Sequence, residues 1–304
     1  MSQVSAQQQF RKRQLPLFFL LYLLSRIPFG ALYVLSDGLA WLFWKVIKYR
    51  KKVVLQNLEN AFPEHSAEVR LQIAREFYRN LTDVFLETIK LTSLTKAGLL
   101  ARVKLVDDNG MADLVRGGQS VIIVGSHHCN WEWVFAMGPA SFPFPVDGVY
   151  KPLSSAFFEN YMRYIRSRFG GQPVKMKETL RHLVTHKNQP RVLAMIADQT
   201  PPFGEIQHWT QFLHQETAFY AGAEKLARSF NYPVFFLHTH RSGRGKYTFR
   251  IQRIDNLLKP ETASQSAFPL TDVYARRLEN LIREEPSAYL WSHRRWKHKR
   301  PVTS

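Results

Sequence analysis

Thirteen consecutive residues, Val121-Ile-Ile-Val-Gly-Ser-His-His-Cys-Asn-Trp-Glu-Trp133, bring together His127, His128, Cys129, Asn130 and Glu132. A carboxylate that takes the proton on one imidazole nitrogen leaves the other nitrogen as a base, as in a protease triad. His127 and Glu132 are candidates for that pair, with a substrate hydroxyl as the group to be activated. On one helix, positions five apart are rotated by about 140° and their side chains do not meet. The pair therefore requires His127 in a turn and Glu132 in the first turn of a helix, which Asn130 is suited to cap. Two other chemistries use the same residues. Cys129 beside a base has the makings of an acyl-accepting nucleophile. His127, His128 and Cys129 are metal-ligand types, yet neighbours in sequence rarely share a tetrahedron. With one cysteine and no spaced histidine pair, no metal and no cofactor is expected.

The elements that position this cluster follow from periodicity. Four aliphatic residues before Gly125 and Ser126 read as a buried strand ending in a turn, and a helix follows. In open α/β sheets, ligands gather at such corners, at the carboxyl ends of strands. Residues 191–197 and 233–238 read as further buried strands, and the alternating residues 247–254 as an outer or edge strand. Residues 67–92 carry apolar side chains at helical spacing, with Ser66 as the cap. Helical stretches are expected near 155–168, 177–187, 215–230 and 270–284. The expected fold is α/β, a single domain with a central mixed sheet flanked by helices. It occupies residues 53–304.

Residues 1–52 differ in composition. Arg11, Lys12 and Arg13 precede an apolar run from Leu15 to Leu24, and a second run follows from Ile27 to Trp44. Tyr33, Trp41, Trp44 and Tyr49 are interface types, and Lys45, Lys48, Arg50, Lys51 and Lys52 close the segment. An N-terminal hydrophobic membrane anchor is expected, although Arg26 and Asp37 interrupt both windows and Pro28 and Gly30 interrupt the helix. The whole chain of 304 residues carries a formal charge of +18, so acidic partners are expected. No nucleic-acid-binding signature accompanies that charge. An anionic membrane surface matches it better. One cysteine suits a reducing compartment.

His127-x-x-Asn130-Trp131-Glu132 resembles the His-x4-Asp/Glu motif of glycerolipid-type acyltransferases, in the form found in the lipid A late acyltransferases of lipopolysaccharide assembly. The resemblance runs in order along nearly the whole chain. Asn57-Leu58 with Ala61-Phe62-Pro63-Glu64 is similar to the family's post-anchor motif. Tyr150-Lys151-Pro152, with Arg166 and Arg168 after it, is similar to its Tyr-Arg-Pro segment. Asp198-Gln199, then Phe212-Leu213 and Thr217, resemble later segments. Trp291-Ser-His-Arg-Arg-Trp-Lys297 resembles the C-terminal signature, the most specific of these marks. Lys151 stands where arginine is usual, and Cys129 where glycine is common.

The resemblance implies a core like that of glycerol-3-phosphate acyltransferases. It also implies transfer of a fatty acyl chain from acyl carrier protein or acyl-CoA to a lipid hydroxyl at the inner membrane, with the catalytic domain facing the cytoplasm. The acceptor it implies is a lipid A precursor. Another membrane lipid (a lysophospholipid or an aminolipid) and a non-catalytic basic membrane-binding protein are the alternatives. In this scheme His127 is the base and Glu132 its orienter. The thioester carbonyl needs positive charge where it becomes anionic, which Lys151, Arg166 and Arg168 can supply; they can equally bind substrate phosphates. Arg294 and Arg295 are assigned to lipid phosphates or the acidic carrier. Asn130, Asp198, Gln199 and Thr217 complete the expected substrate-binding set.

Overall fold

The aliphatic run before His127 is the middle strand of a seven-stranded sheet. The computed structural model describes residue 10 and residues 12–107, 109–257 and 266–301. Arg11, from the basic flank of the expected anchor, lies outside the described residues. In chain order the strands are β1 (Val103–Asp107), β2 (Val121–Gly125), β3 (Val146–Tyr150), β4 (Gln172–Lys175), β5 (Val192–Ile196), β6 (His208–Phe212), β7 (Gln215–Phe219), β8 (Val234–Gly243) and β9 (Lys246–Arg253). The sheet runs β1-β9-β8-β2-β5-β3-β4, and β6 with β7 forms a separate hairpin. All neighbours in the large sheet pair in parallel except β8 and β9, so the sheet is mixed as expected. β9 lies one place in from the edge, because β1 pairs outside it.

The helices are α1 (Leu15–Arg26), α2 (Phe29–Trp41), α3 (Lys51–Ala61), α4 (Ala67–Lys90), α5 (Lys96–Leu100), α6 (Met111–Arg116), α7 (Trp131–Ser141), α8 (Ala156–Ser167), α9 (Thr179–Thr185), α10 (Gly222–Phe230) and α11 (Pro269–Glu284). Ser66 caps α4, accepting from the Val69 N–H at 3.3 Å. Residues 215–219 depart from the expected helix. Leu213 and His214 adopt left-handed backbone (φ 49° and 64°), which turns the chain back and pairs 215–219 against β6. The helix then starts only at Gly222. Fully buried side chains lie on both faces of the sheet: Ile122, Val124 and Phe236 in one core, Val121, Phe235 and Phe249 in the other.

The N-terminal segment is a bent helical pair. No single helix among the described residues is long and apolar enough to cross a membrane. Residues Lys12–Arg26 and Phe29–Val46 meet that standard only together, across a 113° bend. The bend falls at Ile27-Pro28, where proline removes a helical N–H and restrains the residue before it. The composition break at residue 52 is not a spatial one. Ser36 donates to Asp83 at 2.6 Å, Arg244 joins Asp37 to Asp83, and Lys90 donates to the Ile27 carbonyl at 2.6 Å. This polar seam fixes the pair to α4, while Phe19, Leu20, Val34 and Trp41 remain exposed on its outside.

Candidate functional site

β2 and β5 pair in register, Gly125 opposite Ile196. Two residues beyond each of these stand His127 and Asp198, so the sheet itself brings an imidazole and a carboxylate together. His127 Nδ1 lies 2.8 Å from Asp198 Oδ1. Asp198 is 2% exposed. Burial pushes its carboxyl up, but the charge and hydrogen bond of His127, with the Arg295 charge behind them, outweigh burial and hold it below the usual carboxylate range. An ionised Asp198 accepts the Nδ1 proton, which leaves Nε2 as the basic nitrogen. Gln199 Nε2 is 3.4 Å from that atom.

The carboxylate on His127 is therefore Asp198, and the expected orienting role of Glu132 is corrected. The local geometry is as expected: His127 sits in the turn, Asn130 caps α7 and Glu132 is in its first turn. Glu132 turns instead to Arg166. The guanidinium Nε donates to Oε2 at 2.9 Å and Nη2 to Oε1 at 2.6 Å, a two-pronged pair that uses both carboxylate oxygens. Burial works against the Arg166 charge, and Glu132 more than offsets it.

Glu132 and Arg166 line an apolar cavity that is open to solvent. The cavity runs between the sheet and α7, past Ser126, Trp131, Phe135, Gly138, Ala194 and Leu237. Gly148 in β3 is needed here: a Cβ would stand 2.2 Å from the Phe135 ring that lies against the strand. Ser126 Oγ is buried without a hydrogen-bond partner among the described residues. The Trp131 ring meets His127 edge-on at 5.1 Å, joining the imidazole to the cavity wall.

The segment just ahead of the C-terminal signature holds the His127 turn in place. Leu290 N–H donates to the His127 carbonyl at 3.0 Å, and Cys129 N–H to the Ala288 carbonyl at 2.9 Å. Asn57 donates to the carbonyls of Trp291 and His293, both at 2.7 Å, and Phe62 packs edge-on against Trp291. Two motifs more than two hundred residues apart thus form one buckle beside the turn that carries His127.

Cys129 has the left-handed backbone (φ 54°) that glycine adopts at little cost. Its thiol is buried and its pKa is raised well above the ordinary value, by burial first and by the Glu285 charge second. A protonated, enclosed thiol is a poor acyl acceptor. His128, Cys129 and Glu285 place three potential metal-ligand atoms within 4.8 Å of one another. Both His128 nitrogens are engaged, Nδ1 with Thr239 Oγ1 at 2.9 Å and Nε2 with the Glu285 carbonyl at 3.1 Å. Burial holds His128 at about 4, hence neutral. The cluster reads as hydrogen-bonded support for the turn. Cys129→Ala is expected to keep steady-state turnover near that of the parent, at a cost of about 1–2 kcal/mol in stability. Intact-mass analysis after exposure to thioester donor is expected to show no adduct on either protein.

The other expected site residues divide. Lys151 is exposed directly after β3, on the same side of the sheet as the site. Arg168 is not at the site: it donates to the carbonyls of Leu91 and Leu94, closing the end of α4. Thr217 is buried in the β6–β7 hairpin, donating to the Gln215 carbonyl and accepting from Trp296 Nε1. Asn130 is fully buried and structural, its Oδ1 capping Trp133 N–H at 3.0 Å and its Nδ2 donating to Glu87 at 2.7 Å. Arg294 is exposed. Arg295, 2% exposed, cannot reach a lipid phosphate; it donates to the Ala218 carbonyl and lies 4.3 Å over the Phe219 ring. Its charge instead supports Asp198. Sequence reasoning missed Glu87, a buried carboxylate hidden in an ordinary helical pattern, and missed that Asp198 belongs to His127.

The chain matches the family model described as bacterial lipid A biosynthesis acyltransferase over residues 12–298. It is also similar to a lipid A biosynthesis lauroyltransferase of Escherichia coli (strain K12), at 23% identity over 285 residues. That match covers 91% of this chain and 89% of the relative.

Proposed function

We propose, for a chain that belongs to the bacterial lipid A biosynthesis acyltransferase family, a one-step transfer from a fatty acyl thioester to a hydroxyl of a lipid A precursor. His127 Nε2 takes the hydroxyl proton as the oxygen attacks the thioester carbonyl. Asp198 steadies the imidazolium that forms. Arg166, held by Glu132, faces the developing oxyanion, and the unpartnered Ser126 hydroxyl is available to donate to the same oxygen. Collapse of the intermediate expels the thiolate, which recovers the proton from His127. The carrying observation is the His127–Asp198 pair beside a predominantly apolar cavity.

The donor in this proposal is acyl carrier protein thioester, whose acidity suits a chain of charge +18. The exposed apolar residues of α1 and α2 and the basic residues 45–52 favour seating on the cytoplasmic face of the inner membrane. The test is turnover by the purified chain with acyl carrier thioester or acyl-CoA, against a lipid A precursor or a lysophospholipid. Acylation of the lysophospholipid alone would move the acceptor to another membrane lipid.

The cavity also makes a prediction about chain length. Gly138 follows Glu132 by six residues, about 9 Å along α7 at 1.5 Å per residue. Gly138 lines the cavity, and a Cβ there would meet Val146 at 3.3 Å, so a longer side chain takes up cavity space. Gly138→Met is expected to lower kcat/KM for dodecanoyl and longer donors by about tenfold or more, one or two buried methylenes being worth about that much. Hexanoyl donors are expected to be used as before. Donor competition followed by mass spectrometry of the product measures the shift.

A further inference from the structure

We infer that Glu87 is a positioning residue for the catalytic turn, and that the N-terminal helical pair takes part in catalysis by supplying one of its hydrogen bonds through Tyr33. Glu87 is fully buried in the last turns of α4. Its carboxylate is met by three neutral donors from three distant parts of the chain. Tyr33 OH donates to Oε1 at 2.9 Å; Asn130 Nδ2 and Tyr247 OH donate to Oε2 at 2.7 Å and 2.6 Å. Its own backbone carbonyl accepts from Trp133 Nε1 at 2.9 Å. Burial leaves its pKa raised, and the three donated hydrogen bonds oppose that rise without cancelling it.

The arrangement is directional. Asn130 must present its oxygen to the first turn of α7 and its NH₂ to Glu87; a flipped amide would uncap the helix and set oxygen against carboxylate. The two oxygens of residue 87, on which three donors converge, therefore dictate which way the amide points. The amide fixes where α7 begins, with Glu132 two residues later and His127 three residues earlier. Tyr33 belongs to α2, which the Ser36–Asp83 and Asp37–Arg244 contacts press onto α4. Were the helical pair to lift away, the Glu87 carboxyl would lose the Tyr33 donor, and an unmet polar group in the interior is costly. The segment thus does more than contact lipid: it finishes the scaffold of the base.

This inference rests on the proposed acyl transfer, and the test separates the two. Full-length Tyr33→Phe and Glu87→Gln are compared with the parent, using dodecanoyl-acyl carrier protein and a lipid A precursor in micelles. The expected result is a kcat lowered about 10- to 100-fold, the scale on which misplacing a catalytic group acts, with donor KM and binding to anionic phosphatidylglycerol vesicles unchanged. Deuterium exchange across residues 127–134 is expected to rise in both variants, a readout that needs no turnover. Glu87→Gln combined with Asn130→Asp restores the donor–acceptor order with the polarity reversed, and most of the lost kcat is expected to return. A parental kcat and parental exchange in Tyr33→Phe and Glu87→Gln would overturn the inference, as would folded double-variant protein with no recovery. If the parent itself transfers no acyl chain while exchange responds as expected, it is the proposed function that fails.

Discussion

Asp198→Asn is expected to lower kcat by about 10³- to 10⁴-fold, some 4–5.5 kcal/mol of barrier. An amide at this position can still touch Nδ1, but it brings no charge to meet the imidazolium. It can also present its NH₂ and force the proton onto Nε2, the nitrogen that must be free. His127→Ala is expected to fall at least as far. Because the two act as a unit, the double variant should be scarcely worse than either single one. Steady-state kinetics with one donor and acceptor are enough to check this. Asp198 is enclosed, and asparagine is its near-isostere, so circular dichroism should show the fold retained. A kcat within tenfold of the parent would remove Asp198 from the mechanism and reopen the question of what orients His127.

The reason this pairing escaped a reading of the sequence is physical. His127 and Asp198 are 71 residues apart, and only the parallel register of β2 with β5 makes them neighbours. Glu132, five residues away, was the local candidate, and local spacing cannot see a strand arriving alongside. What is local was legible. The aliphatic run of β2, the Asn130 cap and the turn that exposes His127 are all written in adjacent residues. β3 was not legible, because Asp147 and Gly148 interrupt its apolar pattern; Asp147 is paired with buried Arg191, and Gly148 makes room for Phe135. β4 carries Pro173, which an edge strand tolerates but which reads as a breaker. The β6–β7 turn uses non-glycine residues in left-handed backbone, so no turn signal announced it. Motif resemblance located Arg166 and Arg168 together, yet two positions apart on a helix they face differently, one to Glu132 and the other to the end of α4.

That difference sets up a contrast between Arg166 and Glu132. Arg166→Ala is expected to lower kcat by about 10²- to 10³-fold, the range found when a donor to a developing oxyanion is removed. Arg166→Lys should recover little, since an ammonium lacks the planar fork that grips both Glu132 oxygens while further N–H edges face the substrate. Glu132→Gln keeps one acceptor for the guanidinium, so its loss is expected to be smaller, about 10- to 100-fold, and to arise through Arg166. The double variant Glu132→Gln with Arg166→Ala should then resemble Arg166→Ala alone, because the carboxylate has no partner left to hold. A His127–Glu132 pair predicts otherwise. In that case Glu132→Gln would be as damaging as His127→Ala, and its effect would persist after Arg166 was gone. Four kcat values, measured under one donor, distinguish a carboxylate that orients the base from one that aims the cation.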